Sequence, residues 1–193
     1  MDISTSTLLT FLIHGNQLKQ TARTGWVQRG VPGAENVAAH SYGTAFIALV
    51  MAEVIPESID LQKVLIMALL HDLPEGLTSD IPTPAWKLLP FGVKEDVERS
   101  AMLAILGDLP FKEEFLIYWE ELQKNDTAES HLVHDCDKLD MYLQALIYEQ
   151  QTGNLRLNEF WEREQRFEFE ETQAVFNKIA DLRQGPTSLK VKE

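Results

Sequence analysis

One cysteine stands among the 193 residues, Cys136, so no internal disulfide can form and nothing in the composition asks for an oxidising compartment. No run approaches the roughly 18 to 20 apolar residues that a spanning helix needs. The apolar start Leu8-Leu9-Thr10-Phe11-Leu12-Ile13 has no basic segment before it and no small-residue cleavage site after it. It reads as a helix face and not as a signal peptide, and the cytoplasm is the expected location. Basic residues are scarce as well, 17 against 30 acidic, for a formal net charge of −13. Such a surface repels nucleic-acid backbones and anionic membranes, which argues against a general polyanion binder. A small phosphorylated substrate stays open, because a metal ion and one or two arginines can invert the field inside a pocket. No internal repeat, low-complexity run, glycine-rich phosphate loop or long period-two alternation is present, so neither a sheet nor a nucleotide-binding strand–loop–helix is expected.

What remains is helical. Hydrophobic residues make up 45% and charged residues 24%, an ordinary soluble composition, and the length suffices for a core without staples. The pattern predicts an all-α fold in one helical-bundle domain over residues 1–185, with a frayed tail at 186–193. A first amphipathic helix is expected over 5–20, then a loop over 20–33, which holds three glycines and a proline. A second helix should run over 34–54 and stop before Pro56. Asp60 is a candidate N-cap for a third over 61–72, whose Leu61, Val64, Leu65, Ala68 and Leu69 have the spacing of a buried face. Residues 75–90 contain Pro82, Pro84 and Pro90 and read as loop with one short turn. Further helices are expected over 93–106, 110–123, 127–151 and 158–182, with 162–171 as a solvated helical face that turns Phe167 inward.

Three features carry chemistry. His71-Asp72 closes the third helix, and extending its apolar face by one step points Asp72 toward the core, where a carboxylate is costly unless paired or metal-bound. His40 shares a face with Val37, Thr44, Ile47 and Met51 and so points inward; a lone histidine on such a face is more often a hydrogen-bonded core residue than a ligand. Asp137 flanks the stripe Cys136, Leu139, Leu143 and Leu146, with Asp135 and Asp140 as rivals for any role and a solvated acidic face as the plain alternative for all three. Together these segments supply two imidazoles and two carboxylates, a set suited to a borderline divalent cation with positions left for water. A helix bundle can project such ligands into its core. Met51 and Met67 read as core filler, and Trp119 and Trp161 as packing between helices or subunits.

The order His, then His-Asp, then a distant Asp resembles the HD-domain phosphohydrolases. The local text is more specific. Glu35-Asn36-Val37-Ala38-Ala39-His40-Ser41, followed by His71-Asp72-Leu73-Pro74-Glu75-Gly76-Leu77-Thr78-Ser79-Asp80-Ile81-Pro82-Thr83-Pro84, is similar to the 5′-deoxynucleotidase branch. The stretch Leu18-Lys19-Gln20-Thr21-Ala22-Arg23-Thr24-Gly25-Trp26-Val27-Gln28-Arg29 resembles the segment that precedes the first ligand helix there, and the likeness spans roughly residues 8–162.

The resemblance implies that His40, His71, Asp72 and Asp137 hold one divalent metal ion. An octahedral ion such as Co²⁺ or Mn²⁺ is favoured over Zn²⁺, Mg²⁺ or Fe²⁺, because four protein ligands then leave two positions for water and phosphate. It implies that Glu75 acts on the attacking water and Asp80 protonates the leaving 5′-oxygen. Trp26 would pack against the deoxyribose, where an apolar wall disfavours a 2′-hydroxyl. Arg23 or Arg29 would meet the phosphate; relatives place an arginine directly before the tryptophan, where this chain has Gly25, so both stay candidates. Thr78 completes the expected substrate-binding set. The implied reaction is hydrolysis of deoxynucleoside 5′-monophosphates by a homodimer. A deoxynucleoside triphosphate triphosphohydrolase and a non-catalytic nucleotide-sensing module are the alternatives.

Overall fold

The computed structural model describes residues 3–162 and 164–184. Among the described residues, which include one 3₁₀ turn (Leu155–Leu157) and no β-strand, eleven α-helical segments follow one another, so the all-α expectation holds. In chain order they are α1 (Thr5–Gln17), α2 (Thr24–Gln28), α3 (Val37–Met51), α4 (Leu61–Leu70), α5 (Glu75–Thr78), α6 (Thr83–Trp86), α7 (Val93–Leu106), α8 (Lys112–Lys124), α9 (Ala128–Thr152), α10 (Asn158–Trp161) and α11 (Glu170–Gln184). None of them is long and apolar enough to cross a membrane. The expected tail at 186–193 lies outside the described residues.

Side-chain caps set several helix starts. Asn36 Oδ1 accepts from Ala39 N at the head of α3, Asp60 Oδ1 from Lys63 N at the head of α4, and Thr127 and Ser130 form a reciprocal capping box on α9. The ends of α8 and α9 use left-handed residues, Asn125 at φ 54° and Gly153 at φ 65°.

The centre is a three-helix wall in which α3, α4 and α9 pack on one another. Ala48, Val64, Met67, Leu132 and Cys136 are fully buried between them. Burial of a side chain the size of Met67 or Leu132 contributes about 1.5–3 kcal/mol. A second apolar cluster joins α1, α7 and α8 to the end of α4 through Leu18, Leu70, Met102 and Leu106. A third places Trp26 of α2 against Tyr148 and Leu157.

Four expectations need correction. The 20–33 loop contains the short helix α2, and 75–90 contains two short helices, α5 and α6. Helix α4 ends at Leu70, with His71 as its C-cap, and its buried arc is turned: Met67 and Leu70 are buried while Leu69 is 54% exposed. The cause is that α4 packs on two clusters at once, Met67 into the central wall and Leu70 toward α1 and α7. The expected helix over 158–182 is two, α10 and α11. The interruption follows from Asp135, which is fully buried and accepts from Glu168 N, Phe169 N and the Thr172 hydroxyl. Those backbone donors serve a carboxylate of α9 and so leave the helical ladder. Asp135 is therefore no solvated acid, and Phe167 packs inward from a non-helical stretch.

Candidate metal centre

His40 lies one turn into α3, where Val37, Thr44 and Met51 share its buried side. Its ring is fully buried. His71 caps the C-terminal end of α4, and Asp72 follows it out of the helix. Asp137 extends from α9, half-buried. These three elements bring four donor atoms to one place. His40 Nε2 lies 3.3 Å from His71 Nε2, 3.7 Å from Asp72 Oδ2 and 3.0 Å from Asp137 Oδ1. His71 Nε2 lies 3.2 Å from Asp72 Oδ2.

The hydrogen-bond partners decide what those atoms offer. His71 Nδ1 is 2.7 Å from the Ala68 carbonyl, which can only accept, so Nδ1 carries the proton. His40 Nδ1 is 2.7 Å from Asp140 Oδ2. Neutral rings held this way leave both Nε2 atoms as lone-pair donors facing each other and two carboxylates. His40, His71 and Asp72 form a group that could hold a metal ion, with Asp137 beside His40, and a set of imidazole nitrogens and carboxylate oxygens fits a borderline divalent ion.

Without such an ion the cluster holds protons in its place. Burial alone would lower the His40 value, but its bonds to Asp137 and Asp140 outweigh that and raise it to about 10. Burial likewise opposes the charged form of His71, and the Asp72 charge overrides it, so its value is raised. Burial would raise both acids. His71 and Arg23 instead hold Asp72 well below the usual carboxylate range, and the bond to His40 brings Asp137 down to about 2.

A cavity of ≈ 530 Å³ opens over this cluster, within the usual range for a small-molecule site. Arg23, the N-cap residue of α2, reaches Asp72 Oδ2 at 3.3 Å from its Nη1. Glu75 opens α5 and lines the same cavity; its buried Oε2 has no hydrogen-bond partner. Burial first, then the charges of Asp72 and Asp80, push its carboxyl up to about 9. Asp80 Oδ2 accepts from Thr24 N at 2.7 Å while Thr24 Oγ1 donates to the Asp80 carbonyl at 2.6 Å, which ties α2 to the segment after α5. Burial raises the Asp80 value despite Arg23 and the Thr24 N–H.

Trp26 lines the cavity although it is 2% exposed. Its Nε1 donates to Glu35 Oε1 at 3.0 Å, and its ring packs 4.7 Å from Phe160 and 5.5 Å from Tyr148. Arg29 lines the cavity too, but its guanidinium donates to the Gly25 carbonyl and to Glu159 and lies over the Phe160 ring. Thr78 is not brought to this place: it is absent from the cavity lining, and its hydroxyl donates to the Pro74 and Ser79 carbonyls.

Two further acids adjoin the centre. Asp140, a rival of Asp137 in the sequence, binds the far nitrogen of His40, and Glu35, which the sequence does not single out for a role, joins His40 and Asp140 in a compact cluster. The signal for Asp140 was its i+3 spacing from Asp137 on one helix face; Glu35, just before the α3 cap, gave none.

Comparison with known proteins gives the family and the fold. A family profile described as "HD domain" matches residues 15–176. The 5′-deoxynucleotidase HDDC2 of Danio rerio is 34% identical over 157 residues, covering 80% of this chain and 76% of that protein. Its namesake in Dictyostelium discoideum is 37% identical over 157 residues, with 78% and 82% covered. A crystal structure of a Pyrococcus horikoshii OT3 protein superposes with a TM-score of 0.77 at 35% identity, covering 90% of this chain and 99% of that one.

Proposed function

Because the chain belongs to the HD-domain family, we propose that it is a metal-dependent 5′-deoxynucleotidase, which hydrolyses deoxynucleoside 5′-monophosphates to deoxynucleosides and phosphate. The observation that carries the proposal is that His71, Asp72 and Asp137 line one cavity with Arg23, Glu75 and Asp80, with the fully buried His40 ring behind them within reach of all three. Relatives at 34% and 37% identity bear that activity in their names, which supports the same substrate class here.

His40, His71, Asp72 and Asp137 would hold the ion, Co²⁺ or Mn²⁺ in preference to Zn²⁺. Bound there, a divalent ion draws charge from a phosphate oxygen and acidifies water. The chain's own residues supply the rest. The two ligand carboxylates would balance the charge of a divalent ion, and the half-buried Arg23 guanidinium is a charge-assisted donor suited to a phosphate oxygen. Arg23 is paired with Asp72, one of the proposed ligands, so its guanidinium stands beside the centre, whereas Arg29 is paired with Glu159.

Glu75 presents an unbonded carboxyl oxygen to the cavity. Its value is raised in the metal-free chain, and a divalent cation beside it would bring it down to where the carboxylate can take a proton from water. Asp80 has Oδ2 committed to Thr24 N–H, which leaves Oδ1 to hold the proton for the departing 5′-oxygen. Trp26, wedged between Phe160 and Tyr148, is a stiff apolar wall against which a ribose 2′-hydroxyl finds no partner. A cytoplasmic homodimer completes the reading, and light scattering of the purified chain tests the dimer.

Product analysis tests the activity. Metal-loaded protein should release inorganic phosphate from dAMP faster than from AMP and give no tripolyphosphate from dNTPs. Tripolyphosphate would assign a triphosphohydrolase. Nucleotide binding without turnover under any metal would assign a sensing module.

A further inference from the structure

Both nitrogens of His40 are gripped by a single helix. Asp137 Oδ1 stands 3.0 Å from Nε2, and Asp140 Oδ2 stands 2.7 Å from Nδ1. The two acids are three positions apart on α9, so they share a face and reach opposite edges of one ring. The ring is fully buried.

A neutral imidazole has one N–H, and the bond made by one nitrogen decides what the other can offer. An ion at Nε2 requires the proton on Nδ1, and a carboxylate, which only accepts, keeps it there. The two candidate imidazole ligands are fixed by different means. The Ala68 carbonyl that holds His71 belongs to the backbone, whereas the partner of His40 is a side chain that substitution can remove. Glu35 is the other carboxylate nearby, and it is already engaged by Trp26 Nε1.

Gly43 adds an independent observation. It lies inside α3, where glycine costs roughly 1 kcal/mol relative to alanine, and it has ordinary helical backbone. The backbone therefore gives no reason for a glycine. The neighbour does: a Cβ at this position would stand 1.9 Å from Asp140 Oδ1 and 2.7 Å from its Cγ. Any larger residue at 43 displaces the carboxylate from His40.

We infer that Asp140 is a positioning residue for the metal centre. Through Nδ1 it holds His40 in the tautomer and orientation that present Nε2 to the divalent ion, and residue 43 is glycine to leave room for it. This rests on the proposed metal centre.

Calorimetric titration of the metal-stripped chain with Zn²⁺ alone, compared among wild type, Asp140→Asn and Gly43→Ala, is the test. Both variants should bind about 10–100-fold more weakly than wild type. Each variant is titrated well below its own metal-free melting temperature, so that the stability lost with the Asp140 bond to the stripped His40 ring does not enter the affinity. Long-range ¹H–¹⁵N spectra of zinc-loaded wild type, which need no variant, should show His40 protonated on Nδ1. Zinc binding within about twofold of wild type in both variants, or a proton on Nε2, would overturn the inference and leave the metal centre standing. A wild type that binds no ion overturns both.

Discussion

His40 and Asp137 project from helices of 15 and 25 residues, and His71 caps one of 10, whereas Arg23, Glu75 and Asp80 sit at or beside helical turns of four or five. The long helices are held by burial along their length. The short ones cannot stand alone, since isolated turns of that size do not persist in water. Polar bonds across the site tie them, two between Thr24 and Asp80 and one from Arg23 to Asp72, beside the burial of Trp26. The wall that would carry the ion is thus fixed by the core, and the rim that would meet a nucleotide is fixed in good part by the site itself. Damage to the wall should be nearly all-or-none, and damage to the rim graded and substrate-dependent.

The sharpest way to separate wall from rim is Glu75→Gln. It removes a rim carboxylate while leaving every candidate ligand, so turnover of dAMP should fall about 10²–10³-fold with the ion retained. Steady-state rates beside metal analysis check this, and loss of the ion would merge the two regions. Within α9 the contrast is between Asp135 and Asp137. Asp135→Ala orphans the donors of Glu168, Phe169 and Thr172 and should cost about 3 kcal/mol in urea unfolding, with zinc affinity little changed. Trp26→Ala should shrink the ratio of kcat/KM for dAMP over AMP by about 10-fold. Because both substrates are read in one preparation, the ratio does not depend on the fraction folded. An unchanged ratio would take Trp26 out of the selectivity account.

The smallest effect is on pH dependence. In the metal-free chain the Glu75 carboxyl stands at about 9 against an ordinary 4.5, so the folded state keeps a proton that the unfolded chain releases. Stability is greatest below the ordinary value and is lost as pH rises toward about 9. Glu75→Gln should therefore raise the melting temperature of stripped protein by about 3 °C at pH 8.5 and leave it unchanged at pH 4.

The sequence showed the parts of the molecule whose causes are local. Asp60 is the cap of α4 that its position suggested, and α7 spans the expected 93–106. His40, His71 and Asp72, from separated segments, lie close together, and Asp137 Oδ1 stands 3.0 Å from His40 Nε2. The misses have distant causes. The break before α11 depends on Asp135, 33 residues before Glu168, and no periodicity near 158–182 records it. The turn α2 is tied to Asp80, 56 residues onward from Thr24. The exposure of Leu69 follows from a helix packed on two clusters, whereas a single apolar face was assumed. Thr78 was grouped with the substrate by its place in a motif, but its hydroxyl is turned to the backbone of its own turn.

The most direct test of the account strips the protein of metal and follows phosphate release from dAMP as Mn²⁺ or Co²⁺ is returned, with bound ion counted alongside. The account predicts no release from stripped wild type, recovery at one ion per chain, and neither binding nor release in Asp72→Ala or Asp137→Ala. Full activity in the stripped protein, or recovery in either variant at the same ion concentration, would contradict it.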